Sequence, residues 1–166
     1  MEIDWHTGDR AELRLLFELA EDSQIQLDQY IGLGRILVAW RDGAILGQLQ
    51  LIPWPQSGEI DAGEIEIKSL GVTPDAQGTG IGRALIDAAA DRCVADGWVR
   101  LLVSTAAADT GNLRFYQRVG FRMLSIERDA FTPATGYPDP IVIDGIPLRD
   151  RVWLSQDLSH DGRSSR

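Results

Sequence analysis

The sequence predicts one α/β (α+β) domain. Its 166 residues are 44% apolar, which is enough for a single core. Apolar residues recur at strand spacing in some segments and at helical spacing in others, which predicts about six strands and about four helices. A glycine-rich stretch at residues 70–82 joins an apolar strand directly to a helical pattern. No repeat or linker divides the chain, so we expect one domain over residues 1–154 and a polar tail over residues 155–166.

Two helical patterns open the chain. Apolar residues at three- and four-residue spacing predict a helix from Asp9 to Ala20. A second helix is predicted from Gln24 to Tyr30, with Asp22 or Ser23 as its cap.

A hairpin follows these helices. Its predicted parts are the strand Arg35–Arg41, the turn Asp42-Gly43 and the strand Ala44–Ile52. Pro53 and Pro55 are expected to end the second strand, and residues 57–63 to form a polar loop.

The next strand, Glu64–Val72, has an irregular pattern. Ile65 and Ile67 share one parity, whereas Leu70 and Val72 share the other. One interpretation is a β-bulge near Lys68-Ser69, which would return all four side chains to one face. The other is a strand that is buried on both faces, and the pattern alone does not separate them.

The remaining elements alternate between helix and strand. In order, they are a helix from Gly80 to Asp96 with Gly97 as its cap, a strand Val99–Val103, a helix from Asn112 that Gly120 ends, a strand Arg122–Glu127 and a last strand Ile146–Leu154. Residues 129–147 contain four prolines and lack a periodic pattern. A segment of this kind inside a compact domain is usually functional or disordered.

Charge and composition exclude several classes of function. The formal net charge of −9 argues against a nucleic-acid partner, because phosphate binding needs clustered Lys and Arg. The acidic surface would steer a cationic amine, although solubility alone also explains it. No apolar run is long enough to span a membrane, and residues 1–5 do not resemble a secretory signal. The single cysteine, Cys93, fits a cytoplasmic protein, and with two histidines near the termini there is no metal site to expect.

The glycine-rich stretch predicts an anion site. A loop that leads into a helix presents unpaired backbone N–H groups, and the helix dipole adds positive potential there. A dinucleotide fingerprint is excluded because Arg83 stands where its third glycine is needed, and the lysine of a nucleotide-triphosphate loop is also missing. The pattern that fits is Gln77-x-x-Gly80-x-Gly82. The alternative is a strand-to-helix turn without a ligand.

A second motif specifies the ligand. Asn112 and the pair Phe115-Tyr116 are followed by Gly120-Phe121, about 30 residues after the loop. Alone, this segment could be an ordinary amphipathic helix. Together with the loop, and in the same order and spacing, it resembles the GNAT superfamily of N-acetyltransferases. The resemblance covers about residues 35–128.

The resemblance implies a fold and a co-substrate. The fold is a mixed, mostly antiparallel central sheet of about six or seven strands with about four flanking helices, and the β-bulge before the glycine loop opens a slot for the pantetheine arm of acetyl-CoA. The implied cofactor-binding residues are Leu70, Gly71, Val72, Gln77, Gly78, Thr79, Gly80, Ile81, Gly82, Arg83, Asn112 and Tyr116.

The resemblance also implies a reaction. An acetyl group would pass from acetyl-CoA directly to a primary amine in a ternary complex, without a metal. Tyr116 matches the residue that protonates the leaving thiolate, and the backbone N–H at about Leu70 would face the oxyanion. We expect Glu66 to be the base in preference to Glu64; it could also be a bystander, with water as the base.

The acceptor does not follow from the sequence. We expect a small-molecule amine, bound between the first two helices and the 129–147 segment. A protein lysine or N-terminal amine is the alternative within the class, and a non-catalytic acyl-CoA sensor is the alternative outside it. A homodimer is a further expectation.

Overall fold

The computed structural model describes residues 1–54 and 63–158. Seven strands form one sheet in the order β1-β2-β3-β4-β5-β9-β6, and two short strands form a separate hairpin. The strands are β1 Glu2–Trp5, β2 Arg35–Arg41, β3 Ala44–Trp54, β4 Glu64–Val72, β5 Arg100–Ala106, β6 Arg122–Glu127, β7 Val142–Ile143, β8 Ile146–Pro147 and β9 Arg151–Asp157. Only β4 and β5 pair in parallel among the described strands. The predicted α/β (α+β) fold with a mixed, mostly antiparallel sheet is confirmed.

In the described part of the chain, four α-helices cover the two faces of the sheet. They are α1 Arg14–Glu18, α2 Gln24–Tyr30, α3 Ile81–Ala95 and α4 Thr110–Arg118. One core lies under α3 and α4, and a second core lies under α1 and α2 around the buried rings of Phe17 and Tyr30. Cys93 belongs to the first core, where burial raises the pKa of its thiol to about 12, as suits a packing residue. No helix in the described part of the chain is long and apolar enough to cross a membrane.

The predicted β-bulge lies in β4. Ser69 pairs with Gln50 and Ile67 pairs with Leu51, so Lys68 is an extra residue between two consecutive partners on β3. The extra residue places Leu70 on the same core face as Ile67. The pairing of β4 with β5 ends at Ile67 and Val103, immediately before the bulge. Beyond this point the two strands separate.

Several helix and turn predictions are confirmed. The helix α2 has the predicted bounds, and the Ser23 hydroxyl accepts a hydrogen bond from the Gln26 N–H. Asp42 and Gly43 both have positive φ, as the predicted hairpin turn requires. Gly120 is left-handed, and the Phe121 N–H donates to the carbonyl of Tyr116.

Other predicted bounds are wrong. The helix predicted from Asp9 to Ala20 is a 3₁₀ turn at Arg10–Leu13 followed by the short α1. β3 continues through Pro53 to Trp54. The pairing of β2 with β3 ends at Leu51, so beyond this residue no described strand on the β2 side requires the N–H that proline lacks. β5 begins one residue later than predicted, at Arg100, and ends at Ala106 rather than Val103.

The end of the chain also differs from the prediction. Asp144 and Gly145 form a tight turn with positive φ, so β7 and β8 make a small hairpin and the last strand begins only at Arg151. This strand ends at Asp157 rather than Leu154, and Leu158 is buried. The edge strand β1 was not predicted. Pro55, residues 57–62 of the predicted polar loop and residues 159–166 of the predicted tail lie outside the described residues.

Candidate active site

A cleft of about 620 Å³ opens where β4 and β5 separate. Its walls come from distant parts of the chain: the end of β4, the glycine loop, the end of β5, α4, the turn between α1 and α2, and the segment that precedes β9. The parallel pairing brings the glycine loop and α4 to the same end of the sheet, because each follows the carboxyl end of its strand.

Backbone donors of β4 face this cleft. The Thr73 N–H donates to the Leu46 carbonyl on β3 at 2.9 Å. Because successive N–H groups of a strand point to opposite sides, those of Leu70 and Val72 point away from β3. On that side β5 has already separated, so these donors lie open to the cleft. The bulge therefore creates backbone donors that a regular sheet would have used.

The glycine loop has the geometry of an anion site. Gly78 and Gly80 have φ of +74° and +89°, and a Cβ on either would meet no heavy atom within 4 Å. Gly80 precedes the first residue of α3, and no side chain caps this helix. The loop is held from within, since Thr79 Oγ1 donates to the Ala76 carbonyl and Gln77 Nε2 donates to the Val72 carbonyl. The first N–H groups of α3 are therefore free to bind a phosphate, which is what a pyrophosphate-bearing ligand needs.

The second motif brings its tyrosine to the cleft. Asp109 caps α4 by accepting from the Asn112 N–H, and Asn112 Nδ2 lies 3.4 Å from Thr105 Oγ1 of β5. The Tyr116 ring packs edge-on against Phe115 and Phe121, with centroids 5.2 and 5.7 Å away. Burial, and secondarily Asp109, raises the pKa of the Tyr116 hydroxyl above its ordinary value. The hydroxyl is therefore protonated at neutral pH, as a proton donor must be.

Glu66 lies in a different environment from Glu64. The side chain of Glu66 is buried, with Lys68 Nζ 3.8 Å from Oε1. Burial raises the pKa of this carboxyl, while the charges of Lys68 and Arg151 oppose the shift. Glu64 is half-buried and pairs with Arg100 at 2.8 Å, at the start of the strand. Of these two carboxylates, Glu66 is the one that is buried and lies beside the bulge.

The segment before β9 forms the other wall of the cleft. Tyr137 donates to Glu21 Oε1 at 2.7 Å, and Ser23 Oγ donates to the Gly136 carbonyl at 2.6 Å. Phe131 packs edge-on against Tyr137 at 5.0 Å between centroids. These contacts fasten the segment to the turn between α1 and α2. The turn between α1 and α2 and the segment before β9 both flank the cleft, in the position that the sequence analysis predicts.

Most of the predicted cofactor residues line the cleft. Thr79 does not, since its hydroxyl braces the loop, and Glu66 lies outside the lining, beneath the bulge. Gly71 lines the cleft and has a packing role as well, because a Cβ there would lie 2.2 Å from the Leu16 carbonyl oxygen of α1.

Sequence analysis missed several other lining residues. They include the end of β5, Ile67, Lys68, Ser69, Ala76, Asp109, Phe115, Arg151 and the residues 19–22. Lys68 lies at the predicted bulge and Phe115 lies in the second motif, so the sequence pattern could have indicated both. Arg151 could be placed at the cleft only once the pairing of β9 with β5 was known. Among residues 1–54 and 63–158, no group of three or more His, Cys, Asp or Glu side chains could hold a metal ion.

Comparisons with known proteins agree with this geometry. The model of the Acetyltransferase (GNAT) family matches residues 3–121. The chain is 30% identical over 159 residues to the Uncharacterized N-acetyltransferase YvbK of Bacillus subtilis (strain 168), covering 95% of this chain and 96% of that protein.

Two solved structures are similar over nearly their whole length. A GNAT family acetyltransferase from Elizabethkingia anophelis with acetyl-CoA bound has a TM-score of 0.83 and 30% identity, covering 94% of this chain and 97% of its own. The IAA acetyltransferase from Bacillus cereus ATCC 14579 has a TM-score of 0.79 and 28% identity, covering 94% and 99%.

Together with these comparisons, the separated strands, the glycine loop and the buried tyrosine identify an acyltransferase that uses a coenzyme A thioester. The chain belongs to the acetyltransferase (GNAT) family. It is an N-acetyltransferase whose co-substrate is acetyl-CoA.

The loop geometry leads to a prediction about Gly82. A Cβ at this position would lie 3.3 Å from Phe115 Cζ, and both residues line the cleft. We expect Gly82→Val to weaken CoA binding at least about tenfold, which is ~1.4 kcal/mol less stabilisation at saturating ligand. The measurement is the thermal shift over a CoA titration, with NAD and ATP as ligands that give much smaller shifts.

Gly32→Val is the matched control. Gly32 has no heavy atom within 4 Å of the built Cβ and no left-handed φ, so this variant should keep the wild-type CoA shift. A Gly82→Val protein that binds CoA with unchanged affinity would contradict the loop assignment.

Proposed function

We propose that this protein acetylates the primary amine of a small molecule by direct attack within a ternary complex. The observation that carries the proposal is the wall that residues 131–148 form along one side of the cleft. Residues 131–148 contribute Phe131, Tyr137, Ile143 and Leu148 to its lining and are fastened to α2. A wall of this kind leaves room for a compact amine better than for an extended peptide.

The residues of the cleft support a direct transfer. Acetyl-CoA supplies a thioester carbon that the neutral amine attacks, forming the C–N bond as the C–S bond breaks. The N–H of Leu70 donates to the carbonyl oxygen as negative charge develops. Tyr116 gives its proton to the departing sulfur, since its raised pKa keeps the hydroxyl protonated. Loop N–H groups from Gly78 to Arg83 hold the pyrophosphate, and Asn112 positions α4 against β5.

Glu66 is our proposal for the base. Because this carboxylate lies beneath the bulge, it would accept the amine proton through a water rather than by direct contact. Its raised pKa brings its basicity closer to the working pH, which favours general base catalysis. Glu64 is less suited, because Arg100 already pairs with it.

Two other functions remain as alternatives. A protein lysine or N-terminal amine would need the acceptor wall to open, and a non-catalytic acyl-CoA sensor would not need Tyr116 in the cleft. The homodimer is likewise a proposal, and the exposed edge strand β6 is the surface that favours it. A cytoplasmic location is proposed from the single cysteine.

Tyr116 can be tested by removing its hydroxyl. We expect Tyr116→Phe to lower kcat by roughly 10- to 1,000-fold, because the thiolate then leaves without a proton. CoA affinity and melting temperature should hold, since the ring still packs between Phe115 and Phe121. Tyr137→Phe also removes a tyrosine hydroxyl from the cleft, but far from the sulfur in this proposal, so at saturating acceptor it should keep the wild-type kcat. Wild-type kcat in Tyr116→Phe would assign Tyr116 to packing alone.

The raised pKa of Glu66 predicts a pH effect on stability and rate. The folded chain holds this proton more tightly than the unfolded chain does. Wild type should therefore lose stability relative to Glu66→Gln as pH rises from about 4.3, the ordinary glutamate value, through the raised pKa. If Glu66 is the base, Glu66→Gln should be slow at low pH and approach wild type as the acceptor amine loses its own proton.

Chemical unfolding and kcat/KM, each measured across pH, test both effects. Glu64→Gln is the control and should show the wild-type rate profile. Unchanged rates in Glu66→Gln at every pH, together with the expected stability curve, would make Glu66 a structural acid and leave solvent as the base.

An acceptor panel tests the proposed function itself. CoA release from acetyl-CoA should be fastest with one class among polyamines, aminoglycosides and amino acids, and slow with lysine or N-terminal peptides. Tyr137→Phe removes the hydrogen bond to Glu21 and should raise the acceptor KM with little change for acetyl-CoA. Turnover of peptides alone would support the protein acceptor. CoA binding without turnover of any amine would support the sensor.

A further inference from the structure

Arg151 places a positive charge on the wall of the cleft. It is the first residue of β9, and its side chain is 25% exposed. The chain as a whole carries −9, whereas this guanidinium lines the space that a substrate would occupy. The acetyl transfer itself gives Arg151 no task, so its position calls for another explanation.

Contacts on several sides hold the guanidinium of Arg151 in place. Its Nη1 donates to Glu127 Oε2 at 3.1 Å, and the same carboxylate oxygen accepts from Trp153 Nε1 at 3.3 Å. The guanidinium carbon lies 5.0 Å from the centre of the Phe131 ring and 6.0 Å from that of Trp153. A side chain that is fixed in this way loses little conformational freedom when it binds a ligand.

Most N–H groups of this guanidinium are available to a ligand. Among residues 1–54 and 63–158, the hydrogen bond from Nη1 to Glu127 is the one that the Arg151 side chain makes. An arginine has several further donors, arranged in a planar fork. Such a fork matches the two oxygens of a carboxylate, which it binds with two parallel hydrogen bonds.

Arg151 lies on the face of the sheet opposite the phosphate loop. Val152 belongs to the core under α3 and α4, and successive strand residues point to opposite faces, so Arg151 points to the face of α1 and α2. The glycine loop leads into α3 on the other face. An anion bound at Arg151 therefore belongs to the acceptor rather than to the pyrophosphate of CoA.

The proposed base shares this face with Arg151. Glu66 pairs with Ile52, which belongs to the core under α1 and α2. Burial raises the pKa of the Glu66 carboxyl, and the charges of Lys68 and, less strongly, Arg151 oppose the rise. Arg151 is thus close enough for its charge to act on the group that receives the amine proton. One acceptor molecule can present its amine toward Glu66 and an anionic group toward Arg151.

Lys68 also lines the cleft but is less suited to bind an anion. Its ammonium lies 3.8 Å from Glu66 Oε1, and that carboxylate is buried, so water does little to screen the pair. Glu127, the partner of Arg151, has a side chain that is 48% exposed. Solvent screens this second pair, which leaves more of the Arg151 charge available to a ligand.

We propose that the acceptor amine carries a carboxylate, as an amino acid does, and that Arg151 binds this carboxylate. The proposal rests on the proposed transfer to a small-molecule amine and makes Arg151 the residue that selects among such amines. A singly charged carboxylate suits the site better than a doubly charged phosphate, because the lining also includes the carboxylates of Glu21, Asp22 and Asp109.

Matched pairs of acceptors test the proposal. Phenylalanine with phenethylamine, ornithine with putrescine, and β-alanine with ethylamine differ within each pair only by the carboxylate. For at least one pair, wild-type kcat/KM should be at least about tenfold higher for the amino acid than for the amine. Arg151→Gln should lose this preference, chiefly through a higher KM for the amino acid. Any effect of Arg151 on Glu66 is common to both acceptors and cancels in their ratio.

Arg149→Gln is the matched control. Arg149 is two positions away and pairs with Asp129 at 3.7 Å, its side chain is 71% exposed, and it is not part of the cleft lining. This variant removes the same charge from the same segment, so it should keep the wild-type preference. The CoA thermal shift shows that both variants are folded and retain the cofactor half of the cleft.

The outcomes separate this inference from the proposed function. Turnover of amines without preference for the amino acids, or a preference that persists in Arg151→Gln or is lost equally in Arg149→Gln, would overturn the inference and leave the proposed function standing. Faster turnover of 1-aminoethylphosphonate than of alanine would overturn the assignment to a carboxylate. Turnover of peptides alone, or of no amine, would overturn both.

Discussion

The separation of β4 from β5 after Ile67 is the constraint on which the rest of the structure depends. A single extra residue, Lys68, lets β4 keep its pairing with β3 while it departs from β5. The same residue keeps Ile67 and Leu70, which differ in parity, on one core face. Without it, either the core or the cleft would be lost, because a regular strand would have to bury Leu70 on the wrong face or spend its N–H groups on β5.

Much of the fold could be predicted because its signals are local. The parity change along β4 allowed for a bulge, and the glycine loop with its second motif indicated the ligand and the position of Tyr116. The errors share a physical origin in non-local pairing. Whether Pro53 ends a strand depends on how far β2 extends, and β1 is short enough to be defined only by its partner. The break before β9 was predictable in principle, since Asp144-Gly145 is a hairpin turn sequence.

The wall formed by residues 131–148 shows why the site could be predicted only in part. Tyr137 and Glu21 are 116 positions apart, yet their hydrogen bond fastens the irregular segment to the turn between α1 and α2. No periodicity links such residues in advance. The cofactor half of the cleft consists of backbone groups at positions that glycine motifs mark, so a sequence can reveal it. The half proposed to bind the acceptor consists of side chains that meet only after the sheet order is set.

Buried polar residues surround the bulge, and their hydrogen bonds tie the strands to the helix α2. Gln48, Gln50 and Glu66 are fully or almost fully buried on the face covered by α1 and α2. Gln50 Nε2 donates to the carbonyls of Tyr30 and Leu33 at 2.8 Å each, which satisfies the C-terminal end of α2. Gln48 Nε2 donates to Ser69 Oγ beside the bulge at 2.7 Å. A wholly apolar face would lack these ties. They come at a cost, because one side-chain oxygen of each of Gln48, Gln50 and Glu66 is buried without a hydrogen-bond partner among the described residues.

These ties connect the two halves of the chemistry. Gln50 holds α2 against β3, and α2 in turn anchors the acceptor wall through Ser23. The strand β3, which pairs with the strand that carries the open backbone donors, is therefore tied by hydrogen bonds to the helix that anchors residues 131–148. Polar residues in a core weaken it locally, and proteins keep them where function needs a fixed geometry. Here the geometry that these ties fix is the placement of residues 131–148 relative to the open N–H groups of β4.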